Sequence, residues 1–276
     1  MPILHAIVLG LVQGLSEFLP ISSSGHLLLV PWLFDWDDLG DESIKKAFDV
    51  ALHMGTLIAV IAYYRRDVVL YARDGIATIV RRQRPQTEHG RMAWMLVVAS
   101  VPAAVVGVAF ESFIDEQLGK PWIIAVSLIG FGVLLAWADR GRGDKSLNSL
   151  TLRDATIIGA AQVLALNPGT SRSGISMSAA RSRGFSRDAA ARFSFLLSIP
   201  VTAGAVLVKV GGLVSDGIPE GLLIPMIVGV ITAGISGWLA VWGLMRLIRT
   251  KSFDGFVIYR VLLGIGVLVV LASGWR

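Results

Sequence analysis

The chain has 276 residues, of which 54% are hydrophobic and 16% charged, and its mean hydropathy is +0.68. Soluble domains average about 25% charged residues, and the uncharged runs 92–110, 121–138 and 221–245 are long enough to cross a bilayer as helices, so a soluble protein is excluded. The net charge of +5 comes from Arg residues in loops beside the spans, the topogenic bias of membrane proteins rather than a nucleic-acid footprint, and the lack of cysteine excludes disulfides and thiolate metal sites.

The first two elements are short helices over 3–18 and 22–34, separated by Pro20 and the Ser22-Ser23-Ser24-Gly25 turn. Each is too short to span comfortably, which predicts a re-entrant hairpin whose polar backbone is packed in protein. No basic segment precedes the first apolar run, so a cleaved signal peptide is not expected. An acidic loop over 35–46, with Asp35, Asp37, Asp38, Asp41 and Glu42 against Lys45 and Lys46, leads to a span at about 47–64. The segment 65–91 carries Arg65, Arg66, Arg73, Arg81, Arg82, Arg84 and Arg91 and is assigned to the cytoplasm, with 67–80 as an interfacial helix. Spans at 92–111 and 121–138 flank a short outer loop holding Glu111, Asp115 and Glu116. A second hairpin over 154–183, broken at Asn167-Pro168-Gly169, follows a basic loop and ends beside Arg181, Arg183, Arg187 and Arg192. Spans at about 190–209, 222–246 and 255–273 close the chain, with 210–220 outside and Arg246, Arg249 and Lys251 inside.

All loops agree with one orientation, and three spans after each hairpin invert the second half relative to the first. The expected fold is an all-α polytopic membrane protein, one integral domain over 1–276. It is built from two inverted-topology repeats, about 1–140 and about 150–276, each a re-entrant helical hairpin plus three transmembrane helices. The two hairpins echo one another: Gln13 to Gly25 and Gln162 to Gly174 each pass a proline into a hydroxyl-rich turn.

These turns hold the candidate chemistry. Gln13 and Glu17 share a helix face, and a carboxylate in an intramembrane helix is costly and usually functional. Ser22, Ser23, Ser24 and Gly25 open an apolar helix, where hydroxyls and free N–H groups cap the helix or bind an anion. His26 follows Ser23 by one turn, as nucleophile or as general base or acid. The second turn offers Thr170, Ser171, Arg172, Ser173 and Gly174. Arg172 is the one charge between Ala155 and Ala180, and its guanidinium suits phosphate. Together the turns read as a clamp for a phosphate-bearing lipid, with Glu17 and phosphate oxygens as a sparse ligand set of the kind used for Mg²⁺. Asp49 and His53 are either supporting groups that orient His26 or Arg172, or interfacial residues in contact with water. His5 and His89 are read as structural.

QGLSEFLPISSSGH and PGTSRSG resemble the two signature regions of the bacterial undecaprenyl-pyrophosphate phosphatases, the bacitracin-resistance phosphatases, and FDVALHMGTLIAV, ARFSFLLSIP and FVIYRVLLGIGV extend the likeness along the chain. The resemblance implies hydrolysis of undecaprenyl pyrophosphate to undecaprenyl phosphate and phosphate in the bacterial plasma membrane, recycling the lipid carrier of cell-wall synthesis and giving bacitracin resistance. It implies Mg²⁺ or Ca²⁺ as cofactor and an active site open to the periplasm. By position, the family's acidic motif falls on Gln13 and Glu17, its serine on Ser23, its histidine on His26 and its arginine on Arg172. Gln13 carries no charge, so metal binding leans on Glu17 and the substrate. Ser23 helped by His26 is favoured as nucleophile over His26 itself. The expected partners are a polyprenyl pyrophosphate and membrane lipids, with a homodimer left open.

A lipid-phosphate flippase on the same scaffold is the alternative. The type-2 phosphatidic acid phosphatases share Ser24-Gly25-His26, but position 77 is Ala where their basic motif needs Lys, and no His follows Ser182-Arg183.

Overall fold

The computed structural model describes residues 1–36, 42–110, 113–114, 117–218 and 220–276, apart from the side chains of 42, 43 and 211–216. Asp37, Asp38, Asp41, Glu111, Asp115 and Glu116, on which part of the loop-charge reading rests, lie outside the described residues, and so does the Glu42 side chain. Among the described residues the structure is helical, with α1 (Ile3–Phe18), α2 (Ser23–Phe34), α3 (Glu42–Tyr63), α4 (Arg65–Val80), α5 (Glu88–Ala109) and α6 (Pro121–Asp139) in the first half. The second half holds α7 (Leu152–Ala161), α8 (Arg172–Ser182), α9 (Arg187–Asp216), α10 (Leu223–Leu247) and α11 (Asp254–Ala272). Five of these, α5, α6, α9, α10 and α11, are each long and apolar enough to cross a membrane, and α3 and α4 form a further apolar pair bent by 88°. The protein is a multi-pass membrane protein.

Local sequence explains several helix starts. Thr87 accepts a hydrogen bond from Gly90 N and starts α5 before the expected 92, because a capped polar first turn precedes the apolar run. Thr151 and Asp154 form a reciprocal capping box at α7. A 3₁₀ turn, Gln162–Leu166, then carries the chain into the Asn167-Pro168-Gly169 break. The span expected at 190–209 is longer on both sides, since α9 runs from Arg187 to Asp216. Large apolar residues such as Ile58, Val105, Val133, Ile231 and Leu262 face outward, as a lipid-facing surface requires.

The helices pair in a pattern that repeats between halves. Helix α1 packs mainly on α10, and α7 packs mainly on α5; α3 also packs on α10, and α9 on α5. Two further pairs, α3 with α9 and α6 with α11, join the halves to each other. The α1–α10 contact is close because α1 carries Gly14. A Cβ added there would stand 1.9 Å from Ser236 Oγ and 2.6 Å from Ala233 O. Small residues at crossing points are the usual way for membrane helices to gain packing where lipid removes the hydrophobic drive.

Arginines read as topogenic also brace one end of the fold. Buried Asp139 takes Arg181 Nε at 3.1 Å, Arg187 Nε at 2.7 Å and Phe253 N at 3.1 Å. Arg183 pairs with Asp154 and Arg192 with Asp67, each at 2.8 Å.

Arg260, in the middle of apolar α11, is fully buried. Its guanidinium donates to five carbonyls: Pro20 O (3.0 Å) in the first turn, Gly169 O (2.8 Å) and Thr170 O (3.0 Å) in the second, and Leu128 O (3.1 Å) and Ser127 O (3.4 Å) in α6. Pro20, Gly169 and Thr170 belong to helix breaks, where no intrahelical N–H reaches their carbonyls. One side chain thus ties both re-entrant turns to the α6–α11 pair.

Two outcomes follow. Gly14→Ala should cost about 1–3 kcal/mol by overpacking, seen as a lower unfolding temperature in detergent, whereas Gly243→Ala, with open space at its Cβ, should leave it unchanged. Arg260→Met leaves several buried carbonyls unpaired at about 1–3 kcal/mol each, so it should lower the unfolding temperature markedly, and Arg260→Lys, whose ammonium does not fork, by less. Unfolding temperatures equal to wild type in both would refute the bridging role.

Candidate active site

The two hairpin turns have the same backbone conformation at their Ser caps. Ser22 caps α2 at φ 78° and ψ 95°, and Ser171 caps α8 at φ 75° and ψ 114°. Each hydroxyl oxygen accepts a hydrogen bond from the N–H three residues on, Gly25 N at 3.4 Å and Gly174 N at 3.1 Å. A positive φ is unfavourable for serine and persists where the surroundings over-determine it. Here the turns hold each other. Gly169 N donates to Ser22 Oγ at 3.0 Å, Ser173 Oγ donates to Leu19 O at 3.0 Å, and Asn167 Nδ2 donates to Ser127 Oγ at 2.7 Å.

At the contact between the turns stands Glu17, in the last turn of α1. One carboxylate oxygen, Oε2, accepts from Ser23 Oγ at 2.5 Å and from Gln13 Nε2 at 3.1 Å; the other, Oε1, takes the Arg172 guanidinium across the hairpins. His53 Nε2 lies 4.0 Å from Oε2. Gln13 is buried behind Glu17, while Glu17, Ser23, Arg172 and His53 line one cavity of about 290 Å³, together with Ser22, Ser24, Asp49, Gln162, Ser171, Thr202 and Lys209. Its remaining wall is apolar and includes Val50, Ala103, Val201, Ala205 and Val206. A hydroxyl, a carboxylate and a guanidinium in contact, beside an apolar wall, can orient a nucleophile and bind a phosphate ester with a lipid tail.

Several expected site residues stand elsewhere. His26 does not line this cavity. Its Nδ1 bonds the Ser22 carbonyl at 2.6 Å, its Nε2 bonds the Tyr259 hydroxyl at 2.7 Å, and it borders a separate, mostly apolar groove with Lys251 and Phe256. Four residues after Ser22 on α2, the ring folds back on its own helix start and turns toward α11. The expected pairing of His26 with Ser23 is therefore corrected. Thr170, Ser173, Gly25 and Gly174 lie behind the cavity wall. The N–H groups of Gly25 and Gly174 are used by the Ser caps, Ser173 bonds Leu19 O, and Thr170 receives Asn167 Nδ2 at 3.3 Å, so these four make hydrogen bonds within and between the turns. Asp49 and His53, read as supporting groups for His26 or Arg172, are in the cavity wall itself, and His53 stands next to Glu17. His5 stacks on Trp36 with ring centroids 3.7 Å apart, and His89 Nδ1 lies 3.6 Å from Asp74.

Arg260, Tyr259 and Lys209 were missed from sequence. A lone arginine in the apolar stretch 256–272 was the available signal, because an intramembrane charge is seldom idle. Lys209 gave no signal, since it sits near the end of a span like any interfacial lysine.

A divalent cation finds a sparse set of donors. Among the described residues no three of His, Cys, Asp and Glu form a cluster able to hold an ion alone. Glu17 is the carboxylate, and beside it Gln13 Oε1 is buried without a hydrogen-bond partner in the protein. Such oxygen donors fit Mg²⁺ or Ca²⁺, which complete their shells with water and phosphate.

Over residues 6–266 the chain matches the family described as Bacitracin resistance protein BacA. It is 47% identical over 270 residues to an undecaprenyl-diphosphatase of Geobacter metallireducens, covering 97% of this chain and 98% of that protein. It is 47% identical over 273 residues to the undecaprenyl-diphosphatase of Geobacter sulfurreducens, covering 98% and 99%, and 45% identical over 271 residues to that of Moorella thermoacetica, covering 98% of each. With both hairpins, the cavity between them and nearly the whole chain inside these matches, the chain belongs to the BacA family of bacitracin resistance proteins.

Proposed function

We propose that the protein is a membrane phosphatase that hydrolyses undecaprenyl pyrophosphate to undecaprenyl phosphate and inorganic phosphate, so recycling the lipid carrier of cell-wall synthesis and conferring bacitracin resistance. The observation that carries this reading is the meeting of Ser23, Glu17 and Arg172, from two different hairpins, in one cavity with an apolar wall. The relatives' names support hydrolysis over lipid transport.

Ser23 is the nucleophile. Its hydroxyl already points its proton at Glu17 Oε2, which leaves the oxygen lone pairs available to the terminal phosphorus. Both ring nitrogens of His26 are engaged outside the cavity, which argues against His26 in that role. As pyrophosphate enters, its oxygens compete with Glu17 for Arg172, and the guanidinium passes to the phosphate, where it offsets charge in a loose phosphoryl-transfer transition state. Ser23 Oγ forms a bond to the terminal phosphorus while the bridging P–O bond breaks. The Ser23 proton moves to Glu17 Oε2 and on to the departing lipid phosphate. Water then cleaves the phosphoserine: its oxygen bonds the phosphorus as the Ser23 Oγ–P bond breaks, one of its protons passes to Ser23 Oγ, and phosphate is released. Ser22, Ser24 and Ser171 line the phosphate side of the cavity. Glu17 and Gln13 would hold a divalent cation, which supplies charge neutralisation at the phosphates when bound.

The hairpins and their following spans are taken as inverted-topology repeats, a reading supported by the matched Ser caps and the matched helix pairings. The cavity is taken to open on the periplasmic side of the plasma membrane. Helix α9 starts among the basic residues Arg183, Arg187 and Arg192 and carries Lys209 to the cavity wall at its other end, which supports that side.

Purified protein in detergent, given undecaprenyl pyrophosphate and Mg²⁺, should release phosphate, and a chelator should stop it. Ser23→Ala and Arg172→Ala should each lower turnover by about 10²–10³ or more. The phosphatase reading fails if the wild type releases no phosphate with any divalent ion. The assignment of Ser23 fails if Ser23→Ala keeps wild-type turnover.

A further inference from the structure

We infer that His53 is a nitrogen ligand of the divalent cation, and that with Glu17 and Gln13 it forms a mixed N/O site that favours a first-row ion such as Mn²⁺ over Ca²⁺. This deepens the proposed phosphatase and rests on it for the cation's role, though the site itself rests on three observations of the protein.

The first is the orientation of the ring. His53 Nδ1 is 2.7 Å from Asp49 O, four residues earlier on α3. A carbonyl only accepts, so Nδ1 donates to it, and Nε2 is the ring nitrogen turned toward Glu17, where it can ligate an ion. Metal-binding histidines are held in the same way, with one nitrogen donating to a carbonyl or carboxylate and the other ligating.

The second is the gap in front of that lone pair. Nε2 is 4.0 Å from Glu17 Oε2. That is too long for a hydrogen bond and about twice the metal–ligand distance of ~2.1 Å found for small divalent ions. An ion between the two atoms reaches both with little movement.

The third is Gln13. Its side chain is fully buried, its Nε2 is 3.1 Å from the same Glu17 oxygen, and its Oε1 has no hydrogen-bond partner in the protein. Turning the amide over about its last torsion exchanges the two atoms and puts an oxygen 3.1 Å from Oε2. Two ligands at right angles on an ion with ~2.1 Å bonds are about 3 Å apart. The unsatisfied acceptor and the carboxylate therefore form an adjacent ligand pair in the flipped state. Substrate phosphates and water fill the other positions.

A neutral imidazole raises affinity for Mn²⁺ and later first-row ions more than for Ca²⁺, which prefers oxygen alone. The sequence pattern Asp49-x-x-x-His53 thus adds a nitrogen to a site whose acidic motif lost a charge at Gln13.

The test uses full-length protein in detergent with Mn²⁺, alone and with methylenediphosphonate, a non-hydrolysable pyrophosphate. Pulsed electron paramagnetic resonance should show ¹⁴N modulation from a coordinated imidazole, and ¹⁵N-histidine labelling should shift it. His53→Gln should abolish the modulation and weaken Mn²⁺ binding by about tenfold or more while leaving Ca²⁺ binding within twofold; His5→Gln should change neither. Bound Mn²⁺ without ¹⁴N modulation in the wild type would overturn the inference and leave the phosphatase standing, since phosphate release is measured separately. Modulation that survives in His53→Gln would also overturn it. Where His53→Gln does not fold, His53→Asn is read in its place, and the labelled wild-type spectrum can by itself overturn the inference.

Discussion

Irregular backbone deep in a membrane protein survives only when protein supplies the hydrogen bonds that water would. In this chain that requirement converges on Arg260. Two re-entrant turns expose carbonyls at Pro20, Gly169 and Thr170, and one buried guanidinium serves all three while reaching back to α6. Arginine meets this task through its five donors in a planar fork, which span acceptors that a point-like ammonium would leave apart. The same group adds a positive charge just behind the two Ser-capped helix starts.

With the turns held together, the cavity side becomes explicable. Ser22 and Ser171 adopt matching strained backbones, and the residue after each cap is the one that reaches Glu17: Ser23 in one hairpin, Arg172 in the other. One local geometry, used twice, thus delivers a hydroxyl and a guanidinium to opposite sides of Glu17. Without substrate, Glu17 and Arg172 neutralise one another, which spares a buried carboxylate and a cation from standing unpaired in a low-dielectric site. A phosphate then binds by exchange, taking the guanidinium from the carboxylate.

The two nearby histidines face different neighbours. His26 lies in the motif next to Ser23, yet its ring is drawn to Ser22 O and Tyr259 and serves the outer side of the turn. His53 lies in another helix, 27 residues beyond His26, yet its ring faces Glu17. Adjacency along a chain and adjacency around a charge are different relations. Helical phase and the packing of α3 on α10 set the second.

The sequence by itself determined the class of the protein and the identity of its two polar turns. Long apolar runs, proline breaks and hydroxyl–glycine clusters are local signals, and the physics they report, bilayer burial and helix termination, acts over a few residues. Loop arginines likewise stated an orientation, and Glu17, Ser23 and Arg172 stood out because polar groups are expensive in an apolar span. What only the tertiary structure decided was which of those groups meet. Arg260 carries no reading from sequence, and His53 stands between a supporting role and the interface, until α11 and α3 carry them to Pro20 O and Glu17. Gly25, Thr170, Ser173 and Gly174 read as anion binders, and the structure adds the hydrogen bonds they make within and between the turns. Hydrogen-bond satisfaction inside a membrane is settled between helices far apart in the chain, and no local pattern of residues records it.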